Sequence, residues 1–289
     1  MKKSKDEKFD ILFLCHEKDK GALMGHIAHA RENILGYRKI FVLSKEDYFP
    51  YEKDITFVDE KLFPFDKKTI GEYAPNGRAG WYFQQFLKLY FFRIMGEKVL
   101  NNLLIVDADL TFIKKTTFFK GDKPLYNFEV GYHEPYYEIL ERVFGFGKQI
   151  SSLSGTVHHM MFQRKYVDEL LDFKFKSGEK VFWKEIMDNI DMSTESGFSE
   201  EDLYLNYMLK YYPDKIKIRK IRFIDFPYGG PFWRSLFRIL GYSYIASHDY
   251  FDKQRFPALR SFGIEILKML GLKRKVKDLI LKFGLAKRK

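Results

Sequence analysis

Leu103-Leu104-Ile105-Val106-Asp107-Ala108-Asp109 is a short apolar run that ends in two aspartates one residue apart. A run of this kind reads as a buried parallel strand that delivers its carboxylates at the C-terminal edge of a sheet. Alternate residues of a strand point to the same side, so Asp107 and Asp109 are expected to face one site. Paired carboxylates suit a hard divalent cation, which takes oxygen ligands and shares them with substrate phosphates. Open α/β sheets bind ligands at that edge. The tripeptide alone is weak, because Asp-x-Asp arises by chance roughly once in a chain of this size at average composition. A strand end running into a solvated turn has the same pattern.

The flanks strengthen the reading. Upstream, Gly80-Trp81-Tyr82-Phe83-Gln84-Gln85-Phe86-Leu87-Lys88-Leu89-Tyr90 has the spacing of an amphipathic helix that carries polar groups toward the same edge. Downstream, Leu110-Thr111-Phe112-Ile113-Lys114-Lys115 reads as a second short extended run. Phe9 to His16 reads as the first strand, Gly21 to Gly36 as a helix and Lys39 to Ser44 as the second strand. This β-α-β opening implies a right-handed crossover and a mostly parallel sheet flanked by helices. Further along, Leu125 to Val130 is expected as a strand, Glu134 to Phe144 as a helix and Thr156 to Phe162 as a buried strand. Ser199 has the character of an N-cap for a helix whose first turn is Glu200-Glu201-Asp202. Lys215 to Phe226 reads as one or two strands.

Composition bounds the class. The chain has 289 residues, 46% hydrophobic, enough for a substantial core. Its single cysteine, Cys15, excludes an internal disulfide framework and reads as a small core residue. The charged start, Met1-Lys2-Lys3-Ser4-Lys5, is not followed by an apolar stretch, so no signal peptide is expected. No run of about eighteen apolar residues exists, so no transmembrane helix is expected either. The formal net charge is +11. Between Arg260 and Lys289, ten Lys and Arg face Glu265 and Asp278, a local excess of +8 that leaves +3 for everything before it. Phe262, Ile266, Met269, Leu270, Val276, Leu279, Ile280 and Phe283 recur there at helical spacing, interrupted by Gly271. The pattern suggests a catalytic domain over residues 1–256 and a basic amphipathic helical tail over 257–289. Such a tail fits the anionic inner face of a membrane, with the protein held peripherally on its cytoplasmic side. Nucleic acid is not expected as a partner, since that would more often spread the charge across a folded face.

Taken in order, these motifs resemble glycosyltransferases of the GT-A fold, and most closely an uncharacterised bacterial family linked to surface-polysaccharide synthesis. That family's pattern is a Trp-x-x-Gln-Gln-x-x-Lys-Leu helix, an Asp-x-Asp strand, a His-His-Met segment and a Ser-Glu-x-Glu-Leu-Tyr helix. This chain has Trp81, Gln84, Gln85, Lys88 and Leu89, then Asp107 and Asp109, then His158, His159 and Met160, then Ser199, Glu200, Leu203 and Tyr204. The likeness runs from about Asp10 to Asp249. It departs at Asp202, where the pattern has Glu, and at Glu201, where an aromatic is usual. The resemblance implies a nucleotide-sugar donor, with UDP the expected nucleotide, a glycan or lipid-linked saccharide acceptor, and Mn²⁺ or Mg²⁺ as cofactor. It places the metal at Asp107 and Asp109, with His248 as a late third ligand. Lys88 and Gln85 are implied near the donor diphosphate, His159 at donor or acceptor sugar, and His16, Lys18 and Asp19 around base and ribose. Glu201 and Asp202 match the acidic pair that faces the reacting sugar. A carboxylate there would deprotonate an acceptor hydroxyl or hold sugar hydroxyls. First-turn acids also complement a helix dipole, a common arrangement worth ~0.3–1 kcal/mol.

Two other classes compete. A sugar-phosphate nucleotidyltransferase has a similar fold and acidic metal ligands. It normally follows its first strand with a glycine-rich basic loop that cradles triphosphate, whereas His16-Glu17-Lys18-Asp19-Lys20-Gly21 has a single glycine. A non-enzymatic membrane- or nucleic-acid-binding protein would account for the basic tail and leave the acidic motifs without a role.

Overall fold

The apolar runs in Phe9–Cys15 and Asn102–Val106 form strands buried on both faces, an inner pair of one sheet. The computed structural model describes residues 7–247 apart from Asn76 and Tyr132. The elements used below are strands β1 (Phe9–Cys15), β2 (Tyr37–Ser44), β3 (Ile55–Asp59), β4 (Asn102–Val106), β5 (Leu110–Phe112), β6 (His159–Gln163), β7 (Phe223–Asp225) and β8 (Tyr244–Ala246). The helices are α1 (Lys20–Asn33), α2 (Ala79–Met95), α3 (Arg164–Leu171), α4 (Glu200–Tyr211) and α5 (Pro231–Ile239). These residues form two compact units, one of 7–24, 34–108 and 116–220, the other of 25–33, 109–115 and 221–247. The expected tail over 257–289 lies outside the described residues.

The first unit is mixed α/β. Its five-stranded sheet has the order β6-β4-β1-β2-β3. β1 pairs in parallel with both β2 and β4, and β2 with β3, whereas β6 runs antiparallel to β4. Strand order therefore reverses between β1 and β4, and ligands bind at such a switch point in sheets of this kind. The one charge inside β1 is satisfied. Asp10, fully buried, accepts from Arg38 Nε at 2.9 Å and Nη2 at 2.6 Å, and from the Leu100 N–H at 2.8 Å. A bidentate guanidinium pair is the arrangement that allows a carboxylate so deep a place. Helix α2 is apolar around most of its circumference and is buried along most of its length. It ends at Gly96, whose φ of 51° belongs to the left-handed region that glycine tolerates.

The second unit carries a three-stranded sheet in the order β7-β8-β5. β7 and β8 are parallel and β5 is antiparallel to β8. Its core is Ile113, Ile224, Phe226, Phe237, Tyr242 and Ile245, with Trp233 packed against them.

Several boundaries differ from the sequence reading. The strand expected from Thr156 begins at His159, and the helix expected over Glu134 to Phe144 is α-helical to Ile139 and then turns π-helical. Lys215 to Phe226 resolves into two short strands, Lys217–Ile218 and Phe223–Asp225. Among the described residues no helix is long and apolar enough to cross a membrane.

Candidate functional site

Asp107 is the first residue after β4, so the strand carries it to the C-terminal edge beside the switch point. Its backbone N–H donates to the His158 carbonyl at 3.0 Å, one step beyond the β4–β6 ladder. His158 has φ of 67° and is the one described non-glycine residue in the left-handed region. Such backbone strain costs about 1–3 kcal/mol and clusters at functional sites. The conformation sets His158 Nδ1 3.6 Å from Asp107 Oδ2.

Lys88 meets the other oxygen of Asp107. Its Nζ lies 2.9 Å from Asp107 Oδ1 and 2.8 Å from Glu200 Oε1. The lysine side chain is 7% exposed and that of Asp107 is 31% exposed, so the ammonium is enclosed while the aspartate remains open to solvent. Burial opposes the charge on Lys88, but the carboxylates of Asp107, Glu200 and Glu201 outweigh it and hold the ammonium above its ordinary range. Burial likewise opposes ionisation of Asp107. Lys88 and His158 outweigh it and keep the carboxyl well below the usual carboxylate range. Glu201 goes the other way: burial, then the charges of Asp107 and Glu200, push its carboxyl well above the usual range. Two carboxylates thus meet one ammonium, and the Glu201 carboxyl beside them is the one whose ionisation is disfavoured.

Helix α4 presents these acids because its N-terminus is capped twice and the chain leading into it is held by a third bond. Ser199 Oγ accepts the Asp202 N–H at 3.2 Å, Gln85 Oε1 accepts the Glu200 N–H at 3.0 Å, and Tyr82 Oη accepts the Gly197 N–H at 2.9 Å. Glu201 Oε2 accepts the Val157 N–H at 3.2 Å. Asp202 is more fully engaged. Its Oδ1 accepts from the Gly155 N–H at 2.8 Å and Tyr137 Oη at 3.2 Å, and its Oδ2 from Ser154 Oγ and Thr156 Oγ1, both at 2.9 Å. Gly155 permits this approach: a Cβ there would lie 2.8 Å from the Glu201 carbonyl oxygen.

The other expected residues have separate surroundings. His16, Lys18 and Asp19 form the turn after β1, with the His16 ring accepting the Lys18 N–H. Gln85 is spent on the α4 cap, with its amide nitrogen on the Trp81 carbonyl. His159 is buried edge-on to Phe118, and burial lowers its imidazole to about 3, so the ring is neutral. Asp109 belongs to the second unit, where its carbonyl accepts the Ser247 N–H at 3.0 Å. His248 lies outside the described residues. The structure therefore brings together Lys88, Asp107 and Glu201, and adds Glu200 and His158, which the sequence reading leaves without roles, while the Asp202 carboxylate is turned to Tyr137 and the Ser154–Thr156 loop. Glu200 is legible as the acid at the helix start, and His158 as one of two alternating histidines, but no sequence signal says which histidine turns toward Asp107. Among the described residues no three His, Cys, Asp or Glu side chains are grouped to hold a metal ion.

No protein-family model matches the chain, and no curated protein matches it. Among solved structures it is similar to the crystal structure of mouse xyloside xylosyltransferase 1 in its apo form, at 12% identity over 84% of this chain and 99% of that one, with a TM-score of 0.44. A likeness at that score carries no functional argument.

Proposed function

We propose that the chain is a metal-dependent glycosyltransferase that moves a sugar from a nucleoside-diphosphate donor, UDP-linked, to a glycan or lipid-linked acceptor in surface-polysaccharide synthesis. The observation that supports this reading is the Lys88–Asp107–Glu200 network at the C-terminal edge of β4, with Glu201 beside it held well above the usual carboxylate range. A structural ion pair has no need of a histidine in the left-handed region beside a partly exposed aspartate.

Asp107, with Asp109 as its expected companion, would hold Mg²⁺ or Mn²⁺. Either ion is commonly bound through one or two carboxylates, completed by substrate phosphates and water, so a closed protein cage is not required. The ion would neutralise charge on the departing diphosphate. In this reading Lys88 holds Asp107 in place rather than contacting phosphate, because both of its short contacts are carboxylates. Glu201 is the group that holds and yields a proton next to the sugar. Asp202 fixes the Ser154–Thr156 loop and, through it, the position of Glu201. The basic segment 257–289 would hold the enzyme at the cytoplasmic face of a membrane, where lipid-linked acceptors reside.

Calorimetric titration with UDP-sugars, with and without Mn²⁺, tests the proposal. Binding should need the metal and should be lost in Asp107→Asn and in Asp109→Asn. Equal affinity in wild type and both variants with Mn²⁺ present would sink it.

A further inference from the structure

The two units differ in charge. Among the described residues, the first (7–24, 34–108 and 116–220) has 29 Lys and Arg against 31 Asp and Glu, a net of −2. The second (25–33, 109–115 and 221–247) has six against three, a net of +3.

The same unit exposes an apolar ridge. On α5, Trp233 and Phe237 turn into the core, while Phe232 is 69% exposed, Ile239 83% and Leu240 48%. Phe232 and Ile239 are seven residues apart and so share one side of the helix. Basic residues border the ridge. Arg222 Nη1 donates to the Leu240 carbonyl at 2.9 Å, and its guanidinium lies over the Tyr242 ring. Arg238 Nε donates to the Ile113 carbonyl at 2.7 Å, and the exposed Lys114 and Lys115 follow Ile113 directly. Bulky apolar side chains standing out from a helix, rimmed by Arg and Lys, match a surface that lies in the headgroup region of a bilayer. Duplex nucleic acid would use the cations but leave the ridge unpaired.

We propose that the exposed face of α5 is a membrane-docking surface, with Phe232, Ile239 and Leu240 entering an anionic lipid leaflet and Arg222, Arg238, Lys114 and Lys115 meeting its headgroups. These residues are separate in sequence from the basic segment after Arg260, and the surface requires no particular enzymatic activity.

Co-sedimentation of the full chain with phosphatidylglycerol–phosphatidylcholine vesicles, and with phosphatidylcholine alone, tests it. Phe232→Ser and Ile239→Ser should each lower partition onto the anionic vesicles by roughly tenfold, the factor that ~1.4 kcal/mol of lost burial represents. Binding to neutral vesicles should be weak throughout. Both positions are exposed, so circular dichroism should match wild type, and Ser235→Ala on the same helix should bind normally. Unchanged partition in both variants would overturn the proposal and leave binding to the basic segment alone. It would also be overturned if wild type were a dimer in solution that Ile239→Ser dissociates, since the ridge would then cover a second copy.

Discussion

Lys88 is the residue on which the buried charge cluster depends. Replacing it by Met leaves Asp107 and Glu200 facing each other with no cation between them. Breaking one side of a buried pair typically costs ~3–5 kcal/mol, and a loss of that size is expected for Lys88→Met in urea denaturation. A change below about 1 kcal/mol would mean that water replaces the ammonium freely. The two acids of α4 are separable by a matched pair of substitutions. Burial and the charges of Asp107 and Glu200 favour the protonated form of Glu201, to which Gln is close to isosteric, so Glu201→Gln should leave stability nearly unchanged. Turnover should still fall by the ~10²–10⁴ typical of a lost acid–base group. Asp202→Asn instead turns an amide NH₂ toward donors and should cost stability, about 1–3 kcal/mol. If Glu201→Gln retains full turnover, the proton-transfer role belongs elsewhere. His159 supplies a pH effect. Its imidazole titrates near 6.5 when unfolded and about 3 when folded, through burial first and then the Arg219 and His158 charges. Its contribution is complete above the unfolded value and is lost as pH falls toward about 3, by up to ~1.4 kcal/mol per pH unit. Denaturation curves for His159→Phe should show a shallower loss over that window, and an unaltered slope would contradict the assignment. Lys88 and Asp107 are legible in the sequence as chemistry-bearing residues, but their direct pairing is not. They lie 19 positions apart and their third member, Glu200, is 112 beyond Lys88, a distance no local periodicity spans.

At the scale of elements, the loop before β6 explains where the sequence reading stops short. Thr156-Val157 is β-branched and reads as strand. Thr156 Oγ1 instead donates to Asp202 and the Val157 N–H to Glu201, so these groups go to α4 rather than to a ladder. Side-chain and loop hydrogen bonds of this kind compete directly with strand pairing. The α4 start, by contrast, is readable, because an N-cap serine followed by first-turn acids is a local signal with a local cause. The contact between loop and helix makes Gly155 sensitive. In Gly155→Ala the added methyl would sit 2.8 Å from the Glu201 carbonyl, and a backbone oxygen cannot swing aside. The expected cost is about 1–3 kcal/mol, in the range of overpacked interiors, with Glu201 displaced and turnover reduced. Gly131→Ala is a useful control, since its Cβ would meet Ser154 Cβ at an ordinary 3.6 Å. Equal melting temperatures for the two variants would show that the loop backs away from α4 without cost.

The whole molecule divides by charge as well as by contact, and the division predicts how it responds to salt and to charge reversal. The sequence shows the basic segment after Arg260 at a glance. It does not show that 25–33 and 109–115 join 221–247 in one basic unit, because that grouping comes from β5 pairing with β8 across more than a hundred residues. A surface whose attraction to lipid is Coulombic loses affinity as the Debye length shrinks from about 10 Å at 0.1 M salt to about 3 Å at 1 M. An apolar ridge is not screened in that way, so binding to anionic vesicles should weaken with salt without vanishing. Two double variants locate the charge that matters. Lys114→Glu with Lys115→Glu changes the basic unit, whereas Lys120→Glu with Lys123→Glu changes exposed lysines of the near-neutral unit by the same amount. Each lysine near an anionic leaflet contributes ~1 kcal/mol, so the first pair should lower vesicle partition by roughly thirtyfold or more. The second pair should change it by less than about threefold, because those lysines lie in a unit whose own charges nearly cancel. Partition that falls equally in both would mean that total charge alone drives attachment, and that the segregation of charge between the units has no part in it.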